Sequence, residues 1–227
     1  MKKIILSLLV LFSLTVTVQA QDFTSAQDND PAATAVLDKI KKRFDAFKTV
    51  SADFALEIEI PGTDKEVQKG KLWQQGEKYR AQLSDRSIIS DGNTVWVYLG
   101  NNQEVQINCA NEFAAEGMLS PKDLLSIYEK EDYVYYLSNE FREGNKTVQQ
   151  IEFKPTDRDS EYSKLRLTLD KNTLDVLRMK IFAKDGSRFT LSTENWSANK
   201  PIEASVFRWQ KSECSDCYVE DLRLDCE

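Results

Sequence analysis

The clearest pattern in the chain is a strict alternation of apolar and polar side chains from Val50 to Ile60. An alternation of period two predicts a β-strand with one buried face. Eleven residues, at about 3.3 Å each, make a long strand, which indicates a tall and curved sheet. The apolar members of this strand are Val50, Ala52, Phe54, Leu56, Ile58 and Ile60.

A hairpin is predicted from Ile88 to Tyr98, where Asp91-Gly92-Asn93 separates two apolar runs. Asp, Gly and Asn between such runs favour the tight turns of hairpins, because they tolerate positive φ. Both faces of the outgoing strand are apolar: Val95, Val97 and Leu99 share one face, while Trp96 and Tyr98 share the other. We therefore expect apolar cover on both sides of the sheet here.

Similar strand patterns recur at hairpin spacing over most of the chain. They predict about eleven strands in one mainly β domain with two helices. Since no strand–helix–strand unit is present, the sheet should be antiparallel. Beyond the two segments above, the predicted strands cover residues 67–74, 79–83, 105–109, 133–138, 147–153, 165–169, 174–182, 189–196 and 204–209.

Two amphipathic helices are predicted. Asp30-Pro31 provides an N-cap and a first-turn proline for a helix of about four turns, which either covers core or acts as a movable lid. Its apolar side chains are Val36, Leu37, Ile40, Phe44 and Phe47. A second helix should start at Ser120-Pro121 and place Leu124, Leu125, Ile127 and Tyr128 on one stripe, as a plug inside a curling sheet.

Residues 1–20 have the features of a secretory signal peptide. Lys2 and Lys3 precede an apolar run over residues 4–16, and cleavage is expected between Ala20 and Gln21. The apolar run is shorter than the roughly 20 residues of a membrane-spanning helix. Since residue 21 is not a cysteine, we expect an exported, soluble chain of residues 21–227 without a lipid anchor.

The charge balance argues against nucleic-acid binding. The formal net charge is −7, and it becomes −9 without Lys2 and Lys3. An acidic chain without a large cluster of lysines and arginines is a poor partner for a phosphate backbone. The acidity fits a soluble exported protein.

Four cysteines in an exported chain predict two disulfides, with three possible pairings. Cys214 and Cys217 have the CxxC spacing of redox proteins, but the strand–helix–strand context of thioredoxins is absent. The chain contains no histidine, so a zinc site would need all four cysteines. We expect structural disulfides and neither metal nor cofactor. The candidate disulfide residues are Cys109, Cys214, Cys217 and Cys226.

No catalytic site is expected. The absence of histidine excludes the usual Ser-His-Asp and Cys-His arrangements. Asp91, Asp123 and Asp185 stand where turns and helix caps require them.

An ordered set of short motifs resembles the LolA family of periplasmic outer-membrane lipoprotein carriers. The motifs are Phe47-Lys48-Thr49-Val50-Ser51-Ala52-Asp53-Phe54, Lys69-Gly70-Lys71-Leu72-Trp73, the hairpin from Ile89 to Tyr98, the helix after Ser120-Pro121, Leu174 to Gly186, Asn199 to Ile202, and Val219 to Arg223.

The resemblance implies an unclosed antiparallel β-barrel with helices over its mouth, whose apolar concave face binds the acyl chains of a lipoprotein. It implies a periplasmic monomer that escorts lipoproteins from the inner to the outer membrane. The implied partners are the acylated lipoprotein, an inner-membrane lipoprotein-releasing transporter and an outer-membrane acceptor, with no nucleic acid.

Two features depart from the family pattern. Family members often carry a basic residue shortly after the tryptophan of the second strand, where it latches the helical lid. Here Trp73 is followed by Gln74-Gln75-Gly76-Glu77, and only Lys78 or Arg80 could substitute. The cysteine-bearing end, from Cys214 to Glu227, is the second departure and is interpreted as a local staple.

The predicted lipid-binding residues are the apolar members of the clearest strands and of the inserted helix. They are Phe54, Leu56, Ile58, Trp73, Tyr79, Leu83, Ile89, Trp96, Tyr98, Leu124, Leu125 and Tyr128.

Three alternatives remain open from the sequence. The first is a general lipid or hydrophobic-ligand carrier of the same fold. The second is a lipoprotein sensor, although such proteins usually add a second domain and little chain follows Trp209. The third is a CxxC thiol-redox protein.

Overall fold

A computed structural model describes residues 28–115, 126–223 and 226 of the chain. Helix α1 (Pro31–Asp45) comes first, and the short helix α2 (Ala110–Ala115) follows the sixth strand. The strands are β1 (Val50–Glu59), β2 (Glu66–Gln75), β3 (Lys78–Gln82), β4 (Arg86–Ser90), β5 (Thr94–Leu99), β6 (Glu104–Cys109), β7 (Tyr133–Glu143), β8 (Lys146–Pro155), β9 (Tyr162–Asp170), β10 (Val176–Ala183), β11 (Arg188–Ala198) and β12 (Tyr218–Asp221).

All twelve strands of the described residues form one sheet. Its order is β12-β6-β5-β4-β3-β2-β1-β11-β10-β9-β8-β7. The chain meanders outward from β1 to β6, crosses to the opposite edge at β7, and meanders inward to β11, which lies beside β1. Neighbouring strands are antiparallel, except that β12 runs parallel to β6. Since β7 and β12 remain edges, the sheet is an unclosed barrel. The predicted fold class is confirmed, with one parallel pair that the hairpin pattern did not indicate.

Helix α1 lies over one face of the sheet. The Asp30 carboxylate caps it by accepting a hydrogen bond from the Ala32 N–H at 2.9 Å. Its buried side chains, Ala33, Leu37 and Ile40, pack in a core cluster with strands β7–β10. We call the side of the sheet that carries α1 the helix face and the other side the outer face. In antiparallel pairs, directly opposed residues share a face, so the strand register assigns each side chain to one of the two.

Some predicted elements differ from the structure. Residues 204–209 do not form a strand, since Ala204–Phe207 is a 3₁₀ turn with a buried Phe207. The last strand is instead β12, further along the chain. The predicted second helix starts within residues 116–125, which lie outside the described part, as do the signal peptide, Leu124 and Leu125.

The four cysteines form two disulfides. Cys109, at the end of β6, pairs with Cys226, and Cys214 pairs with Cys217. The first bond joins the segment after β11, which we call the C-terminal segment, to β6, the strand with which β12 pairs. The C-terminal segment is therefore held to this edge of the sheet by hydrogen bonds and by one covalent bond.

Candidate functional site

Two apolar rows cross the helix face at right angles to the strands. Each row follows residues that are directly opposed in successive strand pairs. The first row runs Ile151, Leu167, Met179, Leu191, Leu56 from β8 to β1. The second runs Ala52, Leu72, Ala81, Ile88, Val97 from β1 to β5.

Only part of these rows is covered. Ile151 and Leu167 are buried beneath α1 in the main core cluster. On the β1, β2, β4, β5 and β11 side, most apolar side chains of the helix face are only half-buried, whereas Val50, Ala52 and Val95 are buried. We call this half-buried set the hollow; it consists of Phe54, Leu56, Ile58, Leu72, Ile88, Val97, Phe189 and Leu191. A contiguous, partly exposed apolar surface of this kind is the candidate site of this fold.

The rows end at polar side chains. Gln68 stands opposite Leu56, and Gln106 stands opposite Val97. The Gln68 amide nitrogen donates to Glu66 at 2.6 Å, while its oxygen is buried without a hydrogen-bond partner among the described residues. The hollow therefore has an apolar centre and hydrogen-bonding groups at its margin.

Four of the predicted lipid-binding residues lie on the helix face. Phe54, Leu56 and Ile58 belong to the hollow, and Tyr79 is buried on the same face. Leu83 follows β3 and lines a cleft of about 470 Å³ beside Gly70. That cleft is lined mainly by polar residues and shares only Phe54 with the hollow; its other lining residues are Asp53, Lys69, Lys71, Gln82, Ser84 and Glu194.

Four others have side chains on the outer face: Trp73, Ile89, Trp96 and Tyr98. Ile89 and Trp96 are buried with Val105 against Trp209 and the rest of the C-terminal segment. The hairpin does present two apolar faces, as the sequence predicted. Its valine face turns to the hollow, however, and its aromatic face packs under the C-terminal segment.

Tyr128 belongs to the scaffold beneath α1. Its hydroxyl donates a hydrogen bond to the Asp38 carboxylate at 2.9 Å, and its ring packs edge-on against Tyr135. Burial, together with this carboxylate, raises the pKa of the Tyr128 phenol. The side chain therefore stays protonated and holds the helix to the sheet.

Five residues of the hollow were missed: Leu72, Ile88, Val97, Phe189 and Leu191. All five stand in segments that were predicted as strands. The sequence pattern placed each of them on a strand, but only the strand register joins them into a common face.

The C-terminal half of α1 is attached to the sheet by Arg43. Its guanidinium lies 2.8 Å from the Asp175 carboxylate and donates to the Thr173 carbonyl. It also stacks over the rings of Phe47 and Trp196, 5.7 and 5.1 Å from their centres. The basic group that latches the helix here is thus carried by the helix itself.

Neither basic residue after Trp73 takes that role. Arg80 lies on the outer face and binds Glu213 of the C-terminal segment at 2.6 Å. Lys78 also lies on the outer face and is exposed. Helices of the described part are all too short or too polar to cross a membrane.

Comparisons with known proteins agree with this architecture. Residues 45–210 match the family model described as outer membrane lipoprotein carrier protein LolA. No curated protein matches the chain by sequence.

The solved structures to which the chain is similar are distant in sequence. An uncharacterized conserved protein from Thermus thermophilus has a TM-score of 0.56 at 14% identity, over 84% of this chain and 99% of that one. LprF from Mycobacterium bovis has a TM-score of 0.47 at 12% identity, over 78% and 98%. A putative outer membrane lipoprotein-sorting protein domain from Vibrio parahaemolyticus has a TM-score of 0.45 at 15% identity, over 80% and 97%. Because the family model spans most of the chain, this protein belongs to the LolA family of outer membrane lipoprotein carrier proteins.

Proposed function

We propose that the protein is a periplasmic carrier that binds the acyl chains of a lipoprotein in the hollow and escorts it from the inner to the outer membrane. The observation that supports this most is the half-buried apolar surface on the helix face, next to a helix that could move aside. Membership of the LolA family supports a lipid- or lipoprotein-binding role. No catalytic group is needed for it.

The energetics require such a surface. At about 0.8 kcal/mol per CH₂, exposing one acyl chain of roughly fourteen to eighteen carbons to water costs on the order of 10 kcal/mol. Several chains bound together need a wide and adaptable apolar surface. The hollow spans six neighbouring strands, from β11 to β5, and so offers that width.

The margin of the hollow suits an amphiphile. With its chains on Leu56 and Leu191, a lipoprotein would place its acylated end near the buried Gln68 oxygen. That oxygen is an acceptor without a donor among the described residues, and an amide N–H of the cargo could supply one.

A general carrier of lipids with the same hollow is the second candidate, and the same geometry supports it. A sensor of lipoproteins would also use this hollow. A thiol-redox role has less support, because the Cys214–Cys217 pair lies in the C-terminal segment, outside the strand–helix–strand context of thioredoxins.

Native mass spectrometry of the mature protein, purified from its own envelope, tests the proposal. Co-purified triacylated lipoprotein would support it. Phospholipid alone would favour the general carrier. Protein that is empty and also refuses added lipoprotein would contradict both.

The matched variants are Leu56→Glu and Ala55→Glu. They place the same carboxylate on adjacent residues of β1, one in the hollow and one on the outer face. We expect Leu56→Glu to lower lipoprotein uptake at least tenfold, because binding of an acyl chain would remove water from the new carboxylate at a cost in free energy. Ala55→Glu should leave uptake unchanged. Equal uptake by both folded variants would remove Leu56 from the site.

A further inference from the structure

A basic cluster surrounds one phenylalanine ring on the outer face, on the opposite side of the sheet from the hollow. Phe182 of β10 stands directly between Lys164 of β9 and Arg188 of β11. The charged groups of four side chains approach the centre of its ring: Lys164 at 5.0 Å, Arg166 at 5.2 Å, Lys180 at 5.6 Å and Arg188 at 6.0 Å. We call Phe182 and these four residues the Phe182 cluster.

Two of the four cations are already paired. The buried Glu152 carboxylate accepts from the Lys164 ammonium at 3.1 Å and from the Arg166 Nε at 2.8 Å. Lys180 and Arg188 each lie 3.9 Å from the same oxygen of Glu59, which is beyond hydrogen-bond distance. The four basic residues exceed the two carboxylates that face them, Glu59 and Glu152, by two positive charges, in a chain of net charge −7.

The chemistry of these groups fits a phosphate. The Arg188 side chain is 55% exposed and can direct its planar fork of N–H donors at an anion, with Lys180 as a second positive charge beside it. The half-buried Phe182 ring forms the floor between them.

An exposed aromatic side chain flanks the cluster. Tyr162 lies two residues before Lys164 on β9, pairs with the residue after Phe182, and is 38% exposed. Basic side chains beside exposed aromatic ones are typical of surfaces that lie at a membrane interface. A free anion would make no use of this aromatic neighbour.

We propose that the Phe182 cluster binds the phosphate of anionic phospholipid headgroups, so that the outer face rests on a membrane surface. The site goes beyond the proposed lipoprotein carriage and does not depend on it, because the hollow lies on the other face. It gives the protein a contact with the bilayer that leaves the hollow accessible.

Vesicle co-sedimentation of the full mature chain tests the site, with phosphatidylcholine vesicles that contain or lack phosphatidylglycerol. The variant is Lys180→Gln with Arg188→Gln. The control is Lys69→Gln with Lys71→Gln, which removes two exposed positive charges from the same face at a distance from Phe182. Each basic side chain at an anionic surface contributes roughly fivefold in binding, so the first variant should lose about 30-fold and the control much less.

A third variant separates the ring from the charges. Phe182→Leu keeps all four basic residues and should weaken vesicle binding by about two- to fivefold, because the cations lose the ring that organises them. Circular dichroism should show that all three variants remain folded.

Other outcomes would overturn the proposal. Equal losses in the two double variants would show a general charge effect. Absence of vesicle binding, with inorganic phosphate still bound at low ionic strength, would assign the cluster to a free anion. Binding of a glutamate-rich peptide without binding of vesicles would assign the cluster to an acidic protein segment. None of these outcomes bears on lipoprotein uptake, so this site and the carrier function can fail separately.

Discussion

The ring of Phe54 lies directly over Gly70 on the neighbouring strand. A Cβ at Gly70 would stand 2.3 Å from Cζ of Phe54 and 2.6 Å from the carbonyl oxygen of Gln82. Gly70 is therefore required because it leaves room for an aromatic side chain of the hollow. Packing therefore explains the glycine at the second position of the Lys-Gly-Lys-Leu-Trp motif.

Replacing Gly70 by Ala should destabilise the protein by about 1–3 kcal/mol, since neither the ring nor the backbone carbonyl can yield without strain. Urea unfolding measures the change. The same substitution in a Phe54→Ala background should cost less, because one of the two clashes is gone. Equal costs in both backgrounds would show that Phe54 does not contact Gly70 in solution.

Replacing Arg43 by Gln should loosen the C-terminal half of α1 by about 1–2 kcal/mol, because the Asp175 ion pair and both ring contacts are lost. Hydrogen exchange of the α1 amides should become faster. Lys42→Gln removes the same charge from the neighbouring, exposed residue and should leave exchange unchanged. Matching exchange rates in the two variants would rule out Arg43 as the latch.

Removing the Cys109–Cys226 disulfide by Cys→Ala at both positions should cost about 2–4 kcal/mol, because the bond closes a long loop in the unfolded chain. Removing Cys214–Cys217 should cost less, since its loop is short. Guanidinium unfolding compares the two. The first variant should also expose Trp96 and Trp209, seen as a red shift of tryptophan fluorescence, and a larger shift in the second would contradict this assignment.

Glu152 should make stability depend on pH. Burial alone would raise the pKa of Glu152, but hydrogen bonds from Arg166, Lys164 and Tyr136 hold it below its ordinary value of 4.5. A carboxyl whose folded pKa is lowered stabilises the protein above its unfolded pKa, and that contribution is lost as pH falls through the folded pKa.

Glu152→Gln should therefore destabilise the protein at pH 7 by about 1–3 kcal/mol, and the difference from wild type should shrink as pH falls below 4.5. Thermal unfolding over this range measures it. Glu140→Gln, in an exposed ion pair with Lys171, is the control and should change stability by less than about 0.5 kcal/mol. A difference that does not vary with pH would show that Glu152 is not ionised in the folded protein.

Local patterns were sufficient for most elements of this fold. Alternation located β1, and Asp30-Pro31 located the start of α1, because strand periodicity and helix capping act between residues close in sequence. They failed at residues 204–209, where an apolar run packs as a turn against β3. A short apolar run does not reveal by itself whether its backbone pairs with a neighbouring strand or its side chains only pack against the sheet.

The sequence by itself determined the positions of most strands along the chain, the capped first helix, the two-faced hairpin and the oxidised cysteines. Only the tertiary structure decided which face of the hairpin meets the hollow. The sequence pattern separates the two faces of a strand but does not tell which of them faces the hollow, and the segment that covers Trp96 lies far later in the chain. It also decided the cysteine pairing and assembled the Phe182 cluster. The basic residues of that cluster come from three strands, so they form no run in the chain and meet only through the register of the sheet.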